Sequence, residues 1–187
     1  MNRRTILAGA GFAFSTPFAG CLADSVSSGD TGAEHDPDSS DIPDSPGDYP
    51  VNTGGLEEFD PESTYEEIDI GSREGVDDSS RPHDVEIWNE AAESEVVLRT
   101  IDFREELVVH HETYEIPDDT SLSVSLVEPS EYLIEMRVPA TETQRMLRVP
   151  CHFFDCNASV TRIGIFEDGK MRSSVLLTTA ACPSAEC

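Results

Sequence analysis

Positive charge is what this chain has least of. Twelve Lys and Arg face 38 Asp and Glu, a net charge of −26, and only one of the twelve is a lysine, Lys170. With no basic stripe to neutralise phosphates, nucleic acid and anionic surfaces are poor partners. Long apolar runs are missing too. The stretch from Ile6 to Gly20 is fifteen residues broken by Ser15, Thr16 and Pro17, short of the roughly 20 residues that a lasting bilayer span needs. No helical periodicity and no internal repeat is present, which argues against bundles and solenoids. Gly-x-Ser-x-Gly, Ser-x-x-Lys, His-Glu-x-x-His and an Asp-x-Asp-x-Asp-Gly calcium loop are all absent, so no motif for those chemistries exists. Paired acids such as Glu105-Glu106 and Asp118-Asp119 are too common in so acidic a chain to mark a site. They are read as solvated faces.

The N-terminus carries a definite pattern. Asn2-Arg3-Arg4-Thr5-Ile6-Leu7 precedes the short apolar run, no acid occurs before Asp24, and the run closes on Phe18-Ala19-Gly20-Cys21. The paired arginines Arg3 and Arg4 resemble a twin-arginine (Tat) export signal. The small residues before Cys21 resemble a lipobox, whose cysteine thiol becomes a lipid thioether. Phe18 stands where a lipobox usually has Leu. Residues 1–21 are therefore expected to be a signal that exports the chain, with Cys21 lipidated and holding it to the outer face of the cytoplasmic membrane; plain cleavage after an Ala-x-Ala-like site, removing Cys21, is the alternative. A two-chain lipid anchors stably, at about 0.8 kcal/mol per buried CH₂.

Acidity runs through the rest. Residues 22–81 hold 18 acids and two arginines, and residues 82–187 hold 20 acids and eight bases. Self-repulsion of this size opposes compactness in dilute buffer and is tolerated where salt screens it, the Debye length being about 3 Å at 1 M. Scarce Lys, abundant Asp and Glu and the Tat-like start together resemble secreted proteins of halophilic archaea. Residues 22–55 are mostly Asp, Ser, Gly and Pro and cannot bury enough surface to offset ordering entropy. Residues 22–81 are read as a disordered acidic stalk, part-ordered over 56–70, where Ile68 and Ile70 fit one face of a strand.

From residue 82 to 187 the texture is that of a β-domain. Short Val-, Ile- and Leu-rich runs, alternating with polar residues, fall near 85–88, 95–103, 107–116, 122–126, 132–138, 144–149, 160–166 and 171–178. Seven or eight strands at this spacing describe an all-β antiparallel sandwich with one face in and one face wet. Asn89-Glu90, Tyr114-x-Ile-Pro-Asp-Asp and Glu128-Pro-Ser-Glu-Tyr-Leu-Ile-Glu-Met are arranged as in immunoglobulin-like modules. The last resembles the Pro-Gly-x-Tyr-x-Val-x-Val strand of haloarchaeal surface lipoproteins, with Ser130 in place of the usual Gly. The resemblance covers about residues 82–182 and implies an immunoglobulin-like fold. It implies little about function, which resides in sites rather than in the scaffold.

Four cysteines remain beyond Cys21. An even number in an exported chain suggests disulfides. Phe166 to Met171 reads as a hairpin around Asp168-Gly169. Cys156–Cys182 and Cys151–Cys187 share one pairing register, one residue away from that of a two-residue Asp168-Gly169 loop. A bulge or a three-residue loop closes the gap, giving nested bridges. Two local Cys-x4-Cys bridges are the alternative. The same residues with His152 form a loose zinc set. A blue-copper site needs two His, a Cys and a weak axial Met, yet no His follows His152 and Met171 stands alone. His110 and His111 are adjacent on a strand and face opposite ways. Asn157-Ala158-Ser159 is an N-glycosylation sequon. Trp88, the single tryptophan, is expected in the core or on its rim.

These features sum to a surface lipoprotein, not an enzyme, with no cofactor. Its sandwich would serve envelope structure or bind an extracellular protein or glycan. The alternative is a metal- or copper-carrying redox sandwich. The charge balance makes one measurement decisive: the melting temperature should rise steeply between dilute buffer and molar NaCl. A chain equally stable in both would remove the argument for a salty working medium.

Overall fold

The computed structural model describes residues 42–178 and Cys182. Arg3, Arg4, Cys21 and Cys187 lie outside them. Eight strands fall where alternation places them: β2 (His83–Asn89), β3 (Ser94–Asp102), β4 (Leu107–Ile116), β5 (Thr120–Leu126), β6 (Tyr132–Val138), β7 (Thr143–Val149), β8 (Ser159–Ile165) and β9 (Met171–Leu176). They are preceded by β1 (Ser63–Ile70). Two sheets result, in the orders β1-β5-β2-β8-β9 and β4-β3-β6-β7. The inward residues follow the pleat: Val85 and Ile87 on β2, Leu122, Val124 and Leu126 on β5, Ile134 and Met136 on β6 and Ile163 and Ile165 on β8 are all at most 2 % exposed. These side chains meet in one core.

Strands β2 to β7 have the order of strands B, C, C′, E, F and G of an immunoglobulin-like sandwich. A second hallmark supports the assignment. The Tyr132 hydroxyl, at the start of β6, donates to the Glu128 carbonyl at 2.9 Å, the tyrosine corner of that fold. Ser130 within this corner takes no left-handed conformation. Its buried hydroxyl donates to Asp102 Oδ1 at 2.6 Å, so no glycine is needed there.

Three expectations change. The stalk reading of 22–81 does not hold over its later part, because β1 pairs in parallel with β5 along its length. Only Ile70 on β1 is buried, with Ile68 half-buried, so a mostly polar sequence is held by backbone hydrogen bonds and not by an apolar face. Residues 22–41 lie outside the described ones. The sheets are also not purely antiparallel, since β8 runs parallel to β2 in addition to the β1–β5 pair. Finally, the β8–β9 hairpin uses a three-residue loop. Ile165 pairs with Met171, Phe166 N–H donates to Lys170 O at 3.1 Å, and Gly169 sits at φ 72°. That is the type I turn plus left-handed residue of longer hairpins, and it shifts the register opposite to the direction expected for the cysteines.

The chain before β1 crosses the outer face of the five-stranded sheet as a strap. Arg148 N–H donates to Pro50 O at 2.9 Å and Thr53 N–H to Ser173 Oγ at 2.7 Å, fixing the strap beside β7 and β9. Leu56 then passes over Gly164 of β8, and Phe59 over Trp88 of β2, before β1 begins at the far edge. Gly164 is needed for this crossing. A Cβ there would lie 2.8 Å from the Phe166 ring and 3.0 Å from Leu56 Cδ1. Gly164→Val should therefore cost about 1–3 kcal/mol by overpacking. The check is a denaturant midpoint together with Trp88 emission, which should shift to the red as the strap lifts. Unchanged values would show that the strap does not depend on this contact.

Candidate functional site

Strand alternation points Val85 and Ile87 of β2 inward and Trp88 outward. Trp88 is nevertheless only 6 % exposed, because the strap and the β8–β9 hairpin close over it. Phe59 packs edge-on at 5.7 Å and Phe166 at 6.2 Å between ring centroids. The indole N–H donates to Asp119 Oδ1 at 3.0 Å, satisfying its one donor. Two guanidinium groups extend the row, Arg162 at 4.8 Å from the Phe59 centroid and Arg172 at 4.3 Å from that of Phe166. Such contacts are attractive because the ring face carries negative charge. Arg162 also pairs with Glu86 at 2.8 Å and Arg172 with Asp168 at 3.4 Å. Lys170, through its ammonium and its backbone N–H, holds the Asp168 carboxyl below the usual carboxylate range.

A shallow groove of about 400 Å³ runs beside this row, lined by Gly55, Glu57, Glu58, Trp88, Glu90, Phe166 and Arg172. A second of about 430 Å³ continues it past Glu167 and Asp168. The walls are aromatic at the base and acidic at the rim. One cation, Arg172, lies between them. Such a surface can hold a polar ligand with one flat or cationic part, and it has no paired nucleophile and base. Phe59, Phe166, Arg162 and Arg172 were not legible as a group, since they come from four separate segments. Two signals existed: an aromatic at an outward strand position, Trp88, and a glycine inside a strand, Gly164, which marks close approach.

The sequence-derived candidates fare differently. Cys156 is joined to Cys182, with Cα atoms 5.5 Å apart, and Cys151 is also disulfide-bonded. Local pairing of Cys151 with Cys156 is thereby excluded. The outer Cys151–Cys187 pairing involves a residue outside the described ones. Oxidised sulfur offers no thiolate, so the zinc set of Cys151, His152, Cys156 and Cys182 is lost as a donor set. Among the described residues no three His, Cys, Asp or Glu converge as metal ligands. Asn157, the sequon residue, is drawn into the packing. Its side chain is 8 % exposed and donates to Asp155 Oδ2 at 3.0 Å and to Cys182 Sγ at 2.9 Å, while Thr178 Oγ1 donates to its carbonyl at 2.7 Å. Ser159 of the sequon is buried at the start of β8. In the folded domain this amide is engaged in internal hydrogen bonds.

His83 and His110 are tied into the packing. His83 is fully buried between the sheets, stacked at 5.2 Å on Phe153. Ser159 Oγ donates to Phe153 O, so it accepts from His83 Nδ1–H at 2.7 Å, and Nε2 accepts from Thr161 Oγ1 at 2.9 Å. His110 faces inward and meets the Tyr114 hydroxyl at 3.0 Å, while His111 is exposed on the other face. That hydroxyl donates its one proton to Glu112 at 3.1 Å. Burial, then the hydrogen bond to Glu112, raises the Tyr114 pKa, which disfavours use of the phenol as a nucleophile.

Neither protein-family models nor curated proteins gave a match to this chain.

Burial alone lowers the His83 pKa to about 3. The unfolded state, near 6.5, then binds the extra proton first. The neutral imidazole contributes fully above pH 6.5, and that contribution is lost as pH falls toward 3. Between pH 6.5 and 5 the unfolding free energy should fall with a slope approaching one proton, about 1.4 kcal/mol per pH unit. His83→Gln should be less stable at pH 7 and lack that slope. Identical slopes in both proteins would show that His83 titrates normally.

Proposed function

We propose that this chain is a lipid-anchored surface module of a halophilic archaeon, exported through Arg3 and Arg4 and attached by Cys21. Its sandwich works outside the cytoplasmic membrane by binding an extracellular protein or glycan, or by contributing to the envelope, and not by catalysis. The Arg-Arg-to-cysteine order and the charge of −26 support the address. The observation that carries the binding role is the groove over β2, aromatic at its base and acidic at its rim. It lies on a solvent-facing sheet surface, where an ordinary sandwich needs no such row of rings. The metal- or copper-carrying alternative is weakened by the disulfides, which occupy the sulfur donors.

Fractionation of a halophilic host tests the address. The wild type should sediment with membranes and carry a lipid-modified N-terminal peptide. Cys21→Ser should move to the medium, and Arg3→Lys with Arg4→Lys should stay inside. Membrane association that survives Cys21→Ser would overturn lipid anchoring. For the groove, an envelope component retained in molar salt by the wild type should be lost with Phe166→Ala and Arg172→Glu. Retention unaffected by both would move the binding surface elsewhere.

A further inference from the structure

Asn157 is a buried amide beside a disulfide sulfur, and neither the sandwich core nor the groove uses it. Its orientation is determined by chemistry. The Asp155 carboxylate can only accept, and it accepts from Asn157 N at 2.7 Å and from Nδ2 at 3.0 Å. Thr178 Oγ1 donates to Oδ1 at 2.7 Å, which holds the carbonyl end. Nδ2 then presents a hydrogen to Cys182 Sγ at 2.9 Å. Cys156 differs: it is exposed at the surface, between the turn at Cys151–Phe153 and β8, whereas Cys182 is half-buried. The two sulfurs of one bridge therefore have unequal surroundings.

We propose that Cys156–Cys182 is a polarised thiol-exchange site that opens and closes through Cys156, with Cys182 as the sulfur that carries the charge. Exchange proceeds by thiolate attack on a disulfide sulfur and is faster when the departing thiol has the lower pKa. A donor hydrogen bond to the charged form lowers that pKa, and Asn157 Nδ2 gives one to Cys182 Sγ. An external thiolate attacks Cys156 Sγ. The Sγ–Sγ bond breaks, its electron pair leaves on Cys182, and Cys156 carries the mixed disulfide. A second external thiolate then attacks the external sulfur of that mixed disulfide and expels Cys156 as thiolate. Two external thiols become one disulfide and the protein gains two electrons and two protons. The reverse sequence closes the bridge. A small-molecule disulfide reacts first at exposed Cys156, and the Cys182 thiolate, held by Asn157, displaces the external thiol. Opening frees Cys182, beyond β9, from the β7–β8 crossing. The nearby Asp155 carboxylate repels anionic thiols in dilute buffer, an effect that molar salt screens.

The test uses the oxidised full chain in molar salt with glutathione as the probe. The reaction is quenched early, free thiols are alkylated, and adducts are located by peptide fragmentation. Glutathione should be found on Cys156 and the alkyl group on Cys182, with a preference of about tenfold. First adducts on Cys182, on any other cysteine, or spread equally would overturn the proposal. Thr178→Val and Asn157→Ala supply the second arm. Thr178 is exposed, so its variant should fold even if the other does not. Each variant should slow exchange severalfold and reduce the preference. Unchanged rate and preference in folded Thr178→Val would show that the amide does not direct the chemistry.

Discussion

Strand β2 is the constraint on which the other parts of the domain rest. It is the central strand of its sheet, antiparallel to β5 and parallel to β8 over all seven of its residues. Both backbone edges are thus satisfied without water, as a buried strand requires. Its two faces then determine what can pack. Val85 and Ile87 face the core. His83 holds the β7–β8 crossing through Ser159 and Thr161, and Asn89 Nδ2 donates to the Ile116 carbonyl at 2.9 Å at the opposite end. Trp88, on the outer side, gives the strap something to close over. A register slip of one residue would exchange these roles and place His83 and Trp88 on the wrong faces.

The scarcity of cations makes their placement informative. Arg99, Arg148, Arg162, Lys170 and Arg172 each meet a carboxylate. Arg73 instead spans a loop, donating to the Val127 and Ser80 carbonyls at 3.3 and 2.9 Å. Surface ion pairs are worth little in salt. Arg162 and Arg172 add a second contact that salt weakens less, a guanidinium lying on an aromatic ring. The strap is thus held by ring packing, a tight glycine and shared hydrogen bonds, and not by ion pairs alone.

Legibility followed burial. Where one face of a strand is buried, period-two alternation is strong, and β2 to β9 could be placed within about two residues. β1 was only an option in the sequence, because a strand held by its ladder on one edge leaves little apolar pattern. Asn157 shows the same limit for sites. A sequon is a local pattern, whereas access to its amide depends on Asp155, on Thr178 and on a cysteine 25 residues further on. The groove is less legible still, since its walls come from the strap, β2, β9 and a hairpin loop.

Pattern along the chain was enough for the all-β class, the positions of eight strands and the acidity, while the choice between nested and local bridges stayed open until Cys156 was seen joined to Cys182. Class, strand positions and acidity follow from periodicity, composition and spacing, which act along the chain. Three-dimensional packing was needed to show that β8 joins β2 in parallel, that residues 49–62 cross a sheet face, and that the Asn157 amide lies against a sulfur. Each of those depends on which distant segments share a surface once water has been excluded, and local pattern carries no record of that choice.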